Sequence, residues 1–237
     1  MPKKLNLMTT SDPIKIAEEL LWSLKLGKPY HLYINELASL PKANFDRNIA
    51  NDDTKKAFWI NIYNAYFLIL RKHKMIIKPA IYKDKSIIIA HQKMSLDDIE
   101  HGILRRYRLK ISLGYLPDIF APSWIKNWAV KELDHRIHFA LNCGAVSCPP
   151  IALYTVDKID QQLRLATHSF LENETQINHD NNTIYSTKLF QWYQADFGGL
   201  KGVKSLLSSV FEQDLQDYKL LYTDYDFTED LDNFSDQ

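Results

Sequence analysis

Cysteine, glycine and net charge are all scarce in this chain of 237 residues, and each scarcity narrows what it does. Two cysteines are too few for the disulfide framework of a small secreted domain, although one bridge between them stays open. The 7 glycines form neither a phosphate-cradling P-loop nor a dinucleotide-binding fingerprint. With 29 basic against 29 acidic residues the formal net charge is zero, so no field favours nucleic acid or an acidic membrane surface. The longest apolar run, Ala57 to Leu70, is broken by Asn61 and Asn64. As a helix it covers only about 21 Å, short of a bilayer. Lys3 and Lys4 are followed by no apolar stretch of the signal-peptide kind. These absences predict a cytoplasmic protein with reduced thiols, no nucleic-acid partner and no membrane partner.

What the chain does have is a core, since 46% of its residues are hydrophobic. Asp12-Pro13 predicts the start of a helix with the apolar stripe Ile14, Ala17, Leu21 and Leu24 and a stop at Gly27. A second helix runs through Leu32, Tyr33, Leu37 and Leu40 to Pro41. Asn51-Asp52-Asp53 caps a central helix over Thr54 to His73, apolar nearly all round and so buried on every side. Asn61 and Asn64, its only polar residues between Ala57 and Leu70, share a face at i and i+3. They either bond neighbouring backbone or orient a catalytic group. Ser86 to Ala90 reads as a short buried strand, and Ser95-Leu96-Asp97-Asp98 as a capping box opening a helix to about Tyr107. A strand is expected at Trp128 to Val130. Later come an amphipathic helix through Ile159, Leu163, Ala166 and Phe170, and a hairpin over Gln176 to Ser186. A helix capped by Ser186 runs through Trp192 to Phe197, another holds Val203, Leu206, Leu207 and Val210, and Lys219 to Asp226 forms a closing strand. The acidic tail past Asp224 reads as frayed and solvated. No repeat or low-complexity linker divides the chain. The pattern predicts a single α+β domain in which a buried central helix packs on a small mixed or antiparallel sheet. A helical N-terminal segment over residues 1–50 precedes the main unit, 51–237.

Both cysteines fall in one stretch, Asp134 through Pro150. Read with period two it is a strand, with Ile137, Phe139 and Leu141 on one face and Arg136, His138, Ala140 and Asn142 on the other. Buried arginine, histidine and asparagine need partners. Gly144 and Pro149-Pro150 then break the strand into a loop carrying Ser147 and Cys148. The residue types suit a thiolate nucleophile with a histidine base. In a strand Cys143 faces away from His138, so Cys148, on a loop folded back beside that histidine, is the better nucleophile. His101, His138, Cys143 and Cys148 are also zinc-ligand types, but their spacing lacks a Cys-x-x-Cys pair. No metal or other cofactor is expected. A Cys143–Cys148 disulfide is sterically open but disfavoured in a reducing compartment. Carboxylate catalysis by Glu100 with Asp98, or by Asp134, is the remaining chemistry. Glu100 and His101 are adjacent and on a helix point about 100° apart, so they are not expected to enter one site equally.

Several ordered blocks resemble a known family. Phe58-Trp59-Ile60-Asn61-Ile62-Tyr63-Asn64-Ala65 is followed by Ser95-Leu96-Asp97-Asp98-Ile99-Glu100-His101-Gly102-Ile103-Leu104-Arg105. Arg136 to Ala145 with Ser147-Cys148-Pro149-Pro150 comes next, then Phe190-Gln191-Trp192-Tyr193 with Asp196-Phe197-Gly198. Together they resemble the domain-of-unknown-function family 547 (DUF547) over roughly 51–199, with Tyr225-Asp226-Phe227 as an extension. The resemblance carries no established activity. It sharpens the candidates to Asn61, Asn64, Glu100, His101, Arg105, Arg136, His138, Asn142, Cys143, Ser147 and Cys148. The leading expectation is a thiol-dependent hydrolase or acyl-transfer site. Cys148 (or Cys143) is nucleophile and His138 base, Glu100 or Asn61 the orienter, and His101 a further catalytic candidate. Arg136 is expected to bind an anionic group of a small-molecule or peptide substrate, with Asn61, Asn64, Arg105, Asn142 and Ser147 around it. The alternative is a non-catalytic binding or scaffold module in which the same side chains form a satisfied polar network.

Overall fold

Asp12 accepts a hydrogen bond from the Ile14 N–H (3.0 Å) and Pro13 takes the first helical position, so helix α1 spans Pro13–Lys25. This geometry comes from a computed structural model that describes residues 12–235; Lys3 and Lys4 lie outside the described residues. Helices α2 (His31–Ser39) and α3 (Lys42–Asn48) follow; α3 had no clear sequence signal. The central helix α4, Asp52–Leu68, opens on a reciprocal capping box between Asn51 and Thr54 and continues as a π-helical segment, Ile69–His73. Every residue from Lys55 to Leu68 is buried, as the all-round apolar pattern requires.

A short helix α5 (Ala80–Lys83) leads into the antiparallel hairpin β1 (Ile87–Ile89) and β2 (Gln92–Met94). A second π-helical segment, Asp98–Leu104, packs on α4, and α6 (Ser123–Trp128) packs on that segment. The expected strand at Trp128 to Val130 is therefore the end of a helix and an extended connection. Helix α7 (Ile159–Glu174) precedes β3 (Gln176–Asn178) and β4 (Thr183–Ser186), which pair antiparallel. Helices α8 (Leu189–Trp192) and α9 (Gly199–Phe211) then lead to β5 (Lys219–Tyr222), parallel to β4. Two apolar clusters result. One gathers α1, α4 and the β1–β2 hairpin; the other gathers α7, α9 and the mixed three-stranded sheet. The chain is an α+β domain, and among its described residues no helix is long and apolar enough to cross a membrane.

Two corrections matter for function. The stretch expected as a central strand is a 3₁₀ turn, His135–Phe139, whose start is capped by Asp134 accepting from the Arg136 N–H (3.1 Å). Alternation did not identify a strand here because both sets of side chains are buried: Ile137 and Ala140 join the first core, Phe139 the second. The acidic tail is not frayed through its described length. Residues 225–234 fold back along the cysteine loop, with backbone bonds from Val146 to Thr228 (2.9 Å), Asp230 to Gly144 (3.0 Å) and Ile151 to Asn233 (2.8 Å). Glu229 pairs with Arg71 and Asp232 with Lys72, so the basic end of the long central helix holds the acidic strap.

Candidate active site

The loop after the 3₁₀ turn doubles back because Asn142 braces both its ends. The Asn142 amide donates to the Pro149 carbonyl (2.8 Å) and accepts from the Gly144 N–H (2.7 Å). Gly144 has φ +73°, and a Cβ there would lie 2.7 Å from the Phe67 ring, so only glycine fits the turn. Folding back sets the Cys148 sulfur 3.1 Å from the Cys143 N–H and 3.1 Å from the Tyr225 hydroxyl, which also lies 3.7 Å from the Cys143 sulfur. Cys148 is only 4% exposed. Burial opposes its ionisation, but donors from the Cys143 thiol, Tyr225 and the Ala145 and Cys143 backbone outweigh it and hold its pKa below an ordinary thiol's. The Cys143 thiol, donating to Cys148 and desolvated, is pushed up. The pair thus carries its negative charge on Cys148.

Both sulfurs line a cleft of about 300 Å³ whose facing wall holds Glu100, His101, His138 and Tyr193. Nε2 of His138 donates to Asp196 Oδ2 (2.8 Å), and Nδ1 has no hydrogen-bond partner among the described residues. Burial lowers the His138 pKa against the opposing pull of Asp196, so the ring is neutral at neutral pH. Asp196 is in turn held by Arg105 through Nε (2.5 Å) and Nη2 (3.1 Å), and both side chains are closed to solvent. Gly114, at φ +87°, closes over this pair; a Cβ would come within 2.7 Å of Arg105 Nη2. Tyr193 stacks on His138 with centroids 3.9 Å apart and donates to Glu100 Oε1 (2.7 Å), while Tyr63 donates to Oε2 (3.1 Å). Burial alone would raise the Glu100 pKa, but His101, the Tyr193 hydroxyl and Arg105 bring it down to about 2. His101 receives Arg105 Nη1 on Nδ1 (2.7 Å), and burial lowers its pKa against the opposing pull of Glu100. Glu100 and His101 do share the cleft, because the π-helical turn is wider than an α-turn.

Other candidates sit elsewhere. Arg136, expected to bind an anionic substrate group, forks onto Asp134 (2.9 and 2.8 Å) and reaches Asp160 (2.8 Å), outside the cleft. The cation that lines the cleft is Lys110. Asn61 clamps the Tyr154 backbone (2.7 and 3.0 Å), and Asn64 joins the Ala140 carbonyl to the Asn142 N–H (2.9 and 3.0 Å). Both secure the loop and neither lines the cleft. Ser147 Oγ accepts from the Asp226 N–H (2.9 Å), tying down the strap. Among the described residues no three His, Cys, Asp or Glu side chains are placed to hold a metal ion, so the zinc-type quartet does not converge. The residues missed from sequence are Tyr63, Tyr82, Lys110, Tyr193, Asp196 and Tyr225. Tyr193 and Asp196 stood in a recognised block, but nothing local joined them to His138.

Residues 48–171 match the model of the family described as "Protein of unknown function, DUF547". The chain belongs to this family. The match includes Glu100, His101, Arg105, His138 and both cysteines, and ends before Tyr193, Asp196 and Tyr225. No curated protein and no solved structure matches the chain.

Proposed function

We propose that the cleft is a thiol-centred hydrolase or acyl-transfer site acting on a small-molecule or peptide substrate. The observation that carries the reading is the Cys148 sulfur, held by an N–H and a hydroxyl at 3.1 Å each, in the wall of a cleft lined also by an Asp-oriented histidine. A thiolate stabilised by fixed donors is nucleophilic without direct contact to a base, and His138 makes no hydrogen bond to either sulfur. The thiolate attacks an acyl carbonyl, the bond to the leaving group breaks, and the leaving group takes a proton from cleft water. His138 Nδ1 then removes a proton from a second water, whose oxygen attacks the thioester. The C–S bond breaks, acid and the Cys148 thiolate are released, and the imidazolium gives its proton to the hydroxide left by the first water. Asp196 holds the tautomer that frees Nδ1, and Arg105 holds Asp196. Lys110 at the rim suits a negatively charged substrate group. The test is incubation with p-nitrophenyl acetate, reading p-nitrophenolate release and the acetyl adduct by mass spectrometry. A burst with acetyl on Cys148, lost in Cys148→Ser and deacylating more slowly in His138→Gln, supports the reading. No adduct on Cys148 rejects it.

The satisfied bonds of Asn61, Asn64, Asn142 and Arg136 favour a second reading for those four residues, as a structural network rather than substrate contacts.

A further inference from the structure

The proposed chemistry makes and breaks bonds at one sulfur and leaves its neighbour's sulfur without a covalent role. Cys143 is half-buried, lines the same cleft, and its sulfur lies with that of Cys148 around one hydroxyl, at 3.7 and 3.1 Å from Tyr225 Oη. The Cys143 N–H on the Cys148 sulfur brings the base of one side chain against the tip of the other. The Asn142 brace, the Cys148 N–H to Ala145 carbonyl bond (2.9 Å) and the strap already close the loop, so joining its ends demands little rearrangement. We infer that Cys143 and Cys148 are a hydroperoxide-sensitive dithiol, in which Cys148 is oxidised first and Cys143 resolves it to an intramolecular disulfide. This rests on the thiolate assignment of Cys148, not on hydrolysis or acyl transfer.

The class of oxidant follows from access. A sulfur in a side chain 4% exposed suits a hydroperoxide better than a bulky disulfide. The Cys148 thiolate attacks one peroxide oxygen, the O–O bond breaks, and hydroxide leaves and takes up a proton to become water. The Cys148 sulfenic acid is then attacked by the Cys143 sulfur, which gives up its proton. The S–O bond breaks and its hydroxyl leaves as a second water. Two thiols and one hydrogen peroxide give one disulfide and two waters, the protein losing two electrons to the peroxide. The disulfide removes the nucleophile until a thiol reductant restores it.

The reduced protein, freed of reductant and treated with stoichiometric hydrogen peroxide, is expected to lose two hydrogen atoms in intact mass. It should yield a linked Cys143–Cys148 peptide and regain both thiols with dithiothreitol. Cys143→Ser is expected to stop at a Cys148 sulfenic acid that dimedone captures. A wild-type product with Cys148 overoxidised and Cys143 still free, or with bonds only between chains, overturns the inference. Iodoacetamide labelling of reduced Cys148 at neutral pH alongside that result leaves the acyl-transfer reading standing. An intramolecular bond without a p-nitrophenyl acetate burst does the reverse.

Discussion

Tyr225 is the residue on which the thiol pair depends, because its hydroxyl reaches both sulfurs and donates to the one that bears charge. A hydrogen bond to a charged group is worth about 1.5–3 kcal/mol, so Tyr225→Phe is expected to raise the Cys148 pKa by about one to two units. Thiol alkylation rates across pH read this shift directly, and an unchanged profile removes Tyr225 from the account. Arg105 and Asp196 form the other critical contact. Leaving one member of a buried pair uncompensated costs about 3–5 kcal/mol, so Arg105→Met and Asp196→Asn should each lower stability by that order in chemical denaturation, and Asp196→Asn should in addition weaken His138 as a base. His138, Glu100 and the cysteines were legible in sequence because they are expensive polar groups inside apolar stretches. Tyr225 and Asp196 were not, since their partners lie 77 and 58 residues away.

At the scale of elements, the helices announced themselves through caps and periodicity: Asp12-Pro13, the Asn51–Thr54 box and the stripe of α7 all lead to helices where expected. The hairpin of β3 and β4 was equally readable, and β5 starts at Lys219 as expected but ends at Tyr222 rather than Asp226. The 3₁₀ turn was misread because its alternation serves two cores rather than one core and solvent. That turn and the loop beyond it are fixed to α4 by Asn64, whose loss would orphan the Ala140 carbonyl and the Asn142 N–H. At about 1–3 kcal/mol for a buried group left unpaired, Asn64→Ala should destabilise the fold measurably and broaden Cys148 reactivity by loosening its loop. Gly144→Ala tests the same element from the other side. The strained φ and the clash with Phe67 predict lower thermal stability, and an unchanged melting temperature would show that the turn is not the constraint claimed.

Across the molecule, the cleft draws on segments far apart in the chain. Its walls come from α4, the second π-helical segment, the cysteine loop, the region around α8, and the strap. The strap's pairing with Arg71 and Lys72 was invisible in a tail that reads only as acidic, because the cations that bind it lie in the π-helical segment that continues α4. The buried Glu100 ties the cleft to global stability. Its pKa falls from 4.5 to about 2 on folding, so the unfolded chain binds the proton more tightly. The contribution is therefore present above about pH 4.5 and lost as pH falls towards about 2. Glu100→Gln should flatten the dependence of the denaturation midpoint on pH in that window. The central claim, that the cleft holds a reactive thiolate at Cys148, is met most directly by iodoacetamide alkylation of the reduced protein across pH, with mass spectrometry locating the label. Labelling of Cys148 with an apparent pKa well under the free-thiol value of about 8.5 is the predicted result; labelling only after denaturation would contradict the claim.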